Sequence, residues 1–208
     1  INPHFLFNTI DNIRMKSLSL GNKDIPYMLN LLVKILRYNL TVESKEVPLF
    51  KEIEIISSYL EIQHKRFADR INYDISLLCD ATKIEILPLL IQPIVENSFS
   101  HGLESKTEGG MIYILVQEIE NKDKPLLSIS IQDNGCGMPQ EKIQELQEKL
   151  SNPSVEKINS SFGMVNVNQR IKLYYGKEYG ITIKSKENEG TCVTITIPLK
   201  KQELKLEA

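Results

Sequence analysis

Asp133-Asn134-Gly135-Cys136-Gly137-Met138, with Val95-Glu96-Asn97 upstream and Ser161-Phe162-Gly163-Met164 downstream, collects the residue types a nucleotide pocket needs. An ionised carboxylate such as Asp133 accepts hydrogen bonds and donates none, so it suits an exocyclic amine like that of adenine and not the carbonyl of guanine. The carboxamide oxygen of Asn97 is a hard, neutral ligand of the kind Mg²⁺ takes while keeping several waters and phosphate oxygens. Gly135 and Gly137 can turn with positive φ and approach a ring or a phosphate with no Cβ in the way. Gly163 opens a helical pattern, and the free N–H groups of a helix N-terminus attract anions. Taken alone, Asp133-x-Gly135-x-Gly137 equally describes a strand, a glycine turn and a helix opened by Pro139. The three segments in order are what point to nucleotide.

Phosphoryl transfer from such a pocket asks for an acceptor, and His4 is the candidate. A neutral imidazole with a pKa of about 6.5 is a competent nucleophile near neutrality. On a helix His4, Asn8 and Asp11 share one face at i, i+4 and i+7, so Asn8 could orient the ring or hold a water. Pro3 either opens that helix or kinks it if it extends upstream. Position 5 is Phe, so no base follows His4 in sequence. Glu96 is assigned to polarising a metal-bound water or accepting the histidine proton. His101 is within reach of phosphate in this reading, and equally reads as a helix-end histidine held by the dipole. His64 reads as a packed histidine.

These segments resemble the ATP-binding domain of the GHKL superfamily, which includes histidine kinases, gyrase, Hsp90 and MutL. In that resemblance Val95-Glu96-Asn97 is the N box, Asp133 to Gly137 the G1 box and Phe162-Gly163-Met164 the G2 box, and Gly190-Thr191 is the pair that closes the pocket. Asn2-Pro3-His4-Phe5-Leu6-Phe7-Asn8 looks like the H box of LytS/YesM-type sensor histidine kinases, and Leu49 to Phe67 and Leu87 to Gly102 look like the same family. The resemblance implies ATP and Mg²⁺ as ligands, with catalytic His4, Asn8 and Glu96, nucleotide contacts from Asn97, His101, Asp133, Gly135, Gly137, Gly163, Met164 and Thr191, and Mg²⁺ on Asn97. It implies a homodimer, a response regulator as partner, and a membrane-bound sensor upstream that places this part at the cytoplasmic face of the membrane. Two positions depart from the family pattern. Ser100 stands where a phosphate-binding lysine is usual, and Ser161 where the first glycine of the G2 box is usual. Pro93 occupies the place of the glutamate that activates water in the gyrase, Hsp90 and MutL branches, so transfer to His4 is favoured over hydrolysis.

The 208 residues, 41% of them hydrophobic, suffice for one large or two modest cores. A net charge of -2 with scattered basic residues gives no nucleic-acid face. Cys79, Cys136 and Cys192 lack metal-ligand spacing and suit a reduced compartment. No apolar run approaches the roughly 20 residues needed to span a bilayer. With Ile1 first and the H box at the very start, the chain reads as part of a longer protein.

Two units are expected, in an α+β arrangement. Residues 1–68 read as a helical hairpin for dimerisation and phosphoacceptance. Met28, Leu31, Leu32, Ile35 and Leu36 form its apolar stripe, Asp24 is a candidate N-cap, and a third helix starts at Pro48 and turns Ile53, Ile56 and Leu60 inward. A dimeric four-helix bundle or a monomeric helical cap would each bury such a hairpin. Residues 69–208 read as a two-layer α/β sandwich of the GHKL (Bergerat) type. Strands are predicted at 71–78, 111–118, 126–132, 181–186 and 191–198, helices at 88–101, 139–150 and 163–174, and a lid between Leu150 and Phe162. The function that follows is ATP-dependent autophosphorylation of His4 and relay to a response-regulator aspartate. The alternative is a non-catalytic nucleotide-binding module acting by dimerisation.

Overall fold

The structure is a computed structural model that describes residues 3–121, 124–151 and 162–201, with backbone alone at residues 3–5, 69 and 162. The side chain of His4, Ser161 and all but the first residue of the predicted lid between Leu150 and Phe162 therefore lie outside the described residues.

Helices α1 (Pro3–Ser19) and α2 (Asp24–Thr41) form the hairpin. Gly21 turns it with φ of 76°, a backbone region where a side chain would be strained. The predicted cap differs by position: Asp24 is already helical, and the Asn22 carboxamide oxygen instead accepts the Ile25 N–H at 2.9 Å. Of the apolar stripe on α2, Ile35 is buried, while Leu32 remains 36% exposed.

A short strand, β1 (Val47–Pro48), precedes α3 (Leu49–Phe67). Pro48 is thus the last extended residue (ψ 134°) and not the first helical one. It is held there because β1 pairs antiparallel with β3 (Glu85–Ile86). Helix α3 places Leu49, Ile53, Ile56 and Leu60 in one core with Ile112, Ile129 and Ile195 of the main sheet. It also carries ion pairs to α2, with Lys34 at 3.0 Å from Glu54, so α3 is shared between hairpin and sheet.

That sheet has five strands in the order β2-β4-β5-β7-β6. These are β2 (Ile71–Leu78), β4 (Gly110–Ile119), β5 (Leu126–Asp133), β6 (Gly180–Lys186) and β7 (Gly190–Pro198). The first pair, β2 and β4, is parallel because a helical crossover separates them; the other pairings are antiparallel. Alternation does the sorting: Ile112, Ile114 and Val116 of β4 are buried, while Tyr113 on the other face is 48% exposed. The buried face is covered by helices, giving the expected two layers.

The crossover helix α4 (Gln92–Asn97) runs into a π-helical turn at Ser98–Leu103. The helix predicted from Pro88 begins later for a specific reason: Leu89 is left-handed (φ 57°), and the backbone N–H groups of residues 89–91 donate to the Glu52 carboxylate. Helices α5 (Gln140–Ser151) and α6 (Phe162–Tyr175) complete the layer. The end of α5 is fastened to the middle of α6 by buried Asn168, whose amide donates to the Leu150 carbonyl at 2.8 Å while its oxygen accepts the Ile181 N–H at 2.8 Å. Lys172 adds a second donor to Leu150 O at 2.7 Å.

Candidate nucleotide-binding site

Register fixes the centre of the site. Asp133 ends β5 directly opposite Thr191 of β7, and the next residues must leave the sheet. Asn134 makes that exit rigid: its side-chain oxygen accepts the Met111 N–H at 2.8 Å and its NH₂ donates to Gly109 O at 2.8 Å. The loop then passes between two other backbone segments. Cys136 donates its N–H to Gly102 O at 3.1 Å, and its thiol to His101 O at 2.9 Å, while its own carbonyl accepts the Asn188 N–H at 2.6 Å.

The glycines serve this passage. A Cβ on Gly135 would stand 2.3 Å from Gly102 O, and one on Gly137, whose φ is 63°, 1.9 Å from Lys186 O. Their conformational freedom is thus used on neighbouring backbone, the π-turn on one side and the β6–β7 turn on the other, before any ligand is considered.

Asp133 is 3% exposed. Its Oδ1 accepts the N–H of Gly135 at 3.0 Å and of Thr191 at 3.3 Å, and the Ser98 hydroxyl also bonds the carboxylate. Burial pushes its pKa upward, opposed by those hydrogen bonds and by the charge of Lys106. A carboxylate held this firmly presents a fixed acceptor direction, which is what discrimination of a base edge needs.

Above Asp133 lies a cavity of about 500 Å³, within the range of small-molecule sites. Asn97, His101, Asp133, Gly137, Met164 and Thr191 all line it. Gly135 and Gly163 stand behind the wall: a Cβ on Gly163 would come 3.0 Å from Asn97 Nδ2, so that glycine lets α6 approach the Asn97 side chain. Glu96 points away. It is exposed and accepts a hydrogen bond from Gln92 Nε2 at 2.7 Å. Asn8 lines a separate cavity between α1 and α2 with Phe7, Asp11, Arg14 and Arg37.

Three contributions carried no signal in the sequence. Ser98 bonds the key carboxylate. Gly102 admits it, since a Cβ there would be 2.9 Å from Asp133 Oδ1. Lys142 and Lys149 of α5 line the cavity, so cations reach its wall although position 100 is serine. Ser100 itself is exposed and bonds the Glu96 carbonyl at 2.9 Å.

For Mg²⁺ the donor chemistry fits. Among the described residues there is no cluster of three or more His, Cys, Asp or Glu able to hold a metal, and a single neutral oxygen such as that of Asn97 suits an ion whose other ligands are phosphates and water.

Comparison with known proteins agrees with this geometry. The profile of the histidine kinase family matches residues 1–71. That of the histidine kinase-, DNA gyrase B-, and HSP90-like ATPase family matches residues 83–201. Sensor protein LytS of Oceanobacillus iheyensis is 34% identical over 199 residues, 95% of this chain and 33% of the relative. Sensor histidine kinase YesM of Bacillus subtilis is 29% identical, covering 97% of this chain and 32% of the relative. The chain thus spans about a third of the length of these relatives. The histidine kinase domain of the Erythrobacter litoralis EL346 blue-light activated kinase superposes with a TM-score of 0.51 at 14% identity, over 96% of this chain and 86% of that one. The catalytic domain of histidine kinase ThkA does so at 0.51 and 19% identity, over 74% and 95%; at such identities the likeness is one of fold. With its profile match over more than half the sequence, the chain belongs to the histidine kinase-, DNA gyrase B- and HSP90-like ATPase family, in the branch of LytS/YesM-like sensor histidine kinases.

Proposed function

We propose that this chain is the catalytic part of a two-component sensor histidine kinase that binds Mg-ATP, phosphorylates His4 and passes the phosphoryl group to an aspartate of a response regulator. The observation that carries the reading is the gathering of Asn97, Asp133, Gly137, Met164 and Thr191, from four separate elements, around one cavity. In this reading residues 1–68 supply the acceptor and the dimer contact, and residues 69–208 supply the nucleotide.

Asp133 receives the adenine amine, and Thr191, fixed by its N–H to that carboxylate, closes the base side of the cavity. Met164 packs on the nucleotide, and the N-terminal turn of α6 behind Gly163 faces the phosphates. His101, Lys142 and Lys149 add positive or donor groups along the wall. Asn97 would hold the metal, which would supply neutralisation of charge on the phosphates. Transfer breaks the bond from the γ-phosphorus to the β,γ-bridging oxygen and forms a phosphorus–nitrogen bond at His4, whose ring must release its proton if it carries one at the attacking nitrogen. Glu96, exposed and one residue from Asn97, is the proposed receiver of that proton once Gln92 yields its hydrogen bond. Asn8, four residues from His4 on α1, positions the ring or a water.

Dimerisation is supported by the apolar residues the hairpin leaves outside: Ile13, Met15, Leu18 and Leu20 on and after α1, and Ile25 and Leu40 on α2, are 44–78% exposed. Among the described residues no helix is long and apolar enough to cross a membrane; in this reading attachment at the cytoplasmic face of a membrane belongs to an upstream sensor region.

Incubation with γ-labelled ATP is expected to give protein-bound phosphate that is acid-labile and base-stable, and His4→Gln is expected to abolish it while the dissociation constant for MgADP stays within about twofold, since the acceptor contributes nothing to the nucleotide pocket. Label retained by the variant would move the acceptor elsewhere.

A further inference from the structure

Glu52, in the first turn of α3, is 1% exposed, yet it does not line the nucleotide cavity. A buried carboxylate must be satisfied, and this one is satisfied from two sides. The Tyr38 hydroxyl of α2 donates to Oε1. The N–H of Leu89 donates to the same oxygen at 2.8 Å, and those of Leu90 and Ile91 to Oε2 at 3.2 and 3.5 Å. The opposite edge of the same turn is held from α6, where Arg170 donates to Pro88 O at 2.6 Å and Leu89 O at 3.2 Å.

The turn is not one the chain would adopt unaided. Leu89 is left-handed at φ 57°, a region that costs a branched side chain about 1–2 kcal/mol, and such residues persist where their surroundings over-determine them. Ile91 leads directly into α4, whose last residue is Asn97. Arg170 sits six residues along α6 from Met164, which lines the same cavity as Asn97. One carboxylate therefore connects the hairpin to the turn that launches Asn97, and Arg170 holds that turn to α6, the helix that carries Met164.

We propose that Glu52 is a positioning residue for phosphoryl transfer: through the Pro88–Ile91 turn it sets where Asn97 stands, and through the Tyr38 hydroxyl it ties that position to the helix packed against the phosphoacceptor helix. The claim rests on the kinase reading above and goes beyond it, because it assigns the alignment of donor and acceptor to residues outside both sites.

Tyr38→Phe tests the link to the hairpin, since it removes one hydroxyl and leaves the three amides on Glu52. It is expected to keep the calorimetric dissociation constant for MgADP and the KM for ATP within about twofold, while kcat for His4 phosphorylation falls about tenfold or more, the scale of a misalignment by a fraction of an ångström. Glu52→Gln tests the turn: MgADP binding should weaken about fivefold or more, with faster amide exchange at residues 89–91. Glu52→Asp, which keeps the charge and loses reach, should not restore either quantity.

Wild-type kcat in a folded Tyr38→Phe protein, or equal losses of kcat and MgADP affinity in it, overturns the proposal. Should Glu52→Gln fail to fold, Arg170→Lys replaces it and is expected to weaken MgADP in the same way. Absence of phosphate on wild-type His4 would refute the kinase reading alone. Glu52 would then stand or fall by MgADP affinity and amide exchange, and wild-type values for both in the turn variant would end the claim.

Discussion

Asp133 is the proposed acceptor for the adenine amine, and its replacement should be decisive. Asp133→Asn keeps the shape but turns one acceptor oxygen into a donor and removes the charge, so MgATP binding is expected to weaken by about 1.5–3 kcal/mol, the scale of a hydrogen bond to a charged group. Isothermal calorimetry checks it, with thermal unfolding to show that the Gly135 and Thr191 contacts have not collapsed. Asp133 was singled out in the sequence because a carboxylate precedes glycines at fixed offsets, Asn97 because its carboxamide is chemically particular, and Thr191 through the family resemblance; the structure brings all three to one cavity. Ser98, Gly102 and Lys142 were not legible, since each is an ordinary residue whose role comes from a tertiary approach, such as the 2.9 Å that a Cβ on Gly102 would leave to Asp133 Oδ1. Glu52 was hidden differently. An acidic residue in the first turn of a helix is usual on dipole grounds alone, so nothing in its position announced that it would be buried.

The strands were readable because alternation of apolar and polar residues is itself the physical cause of one-sided burial, and β2, β4, β5, β6 and β7 lie within a residue or two of their predicted bounds. The start of α4 was not readable. Its delay depends on Glu52 and Arg170, distant in sequence from the turn they hold. Buried Asn168 of α6 bonds the end of α5 and the start of β6 through its side chain. Asn168→Ala leaves the Ile181 N–H without its acceptor, while Lys172 still serves Leu150 O; a loss of about 1–3 kcal/mol is expected, measurable by urea unfolding. For the hairpin, Ile13→Lys with Leu20→Lys places charge on side chains that are 51% and 78% exposed. Sedimentation should shift from dimer to monomer with MgADP affinity unchanged, and a dimer that survives would place the contact on another surface.

Taken as a whole, the molecule keeps several tyrosines in surroundings that disfavour their ionisation. Burial, and then the charge of Glu96, pushes Tyr59 up to about 12, and burial pushes Tyr175 up to about 12. Their ordinary value, taken for the unfolded chain, is 10.0. Between the two values the folded state retains protons that the unfolded state has lost, so stability falls as pH rises. The contribution is complete below pH 10 and disappears through pH 12. Melting temperature should drop across that window, with tyrosinate absorbance rising together with unfolding and not ahead of it; Tyr59→Phe should move the alkaline limit upward if the fold tolerates the lost hydroxyl.

The order of strands in the sheet has a bearing on how the protein is made. Two local hairpins, β4–β5 and β6–β7, can close as soon as their own residues exist, but the sheet becomes continuous only when β5 pairs with β7, as in Leu127 with Ile197. Such pairing across a long stretch of chain is slow, because loop closure precedes any gain in contacts. The pairing that brings Asp133 opposite Thr191 is the same one. During synthesis, then, nearly all of this chain emerges before the proposed base-recognition corner exists, and nucleotide bound there cannot assist the early steps of folding. Bound ATP can only reward the last one, by favouring the joined sheet over two separate hairpins.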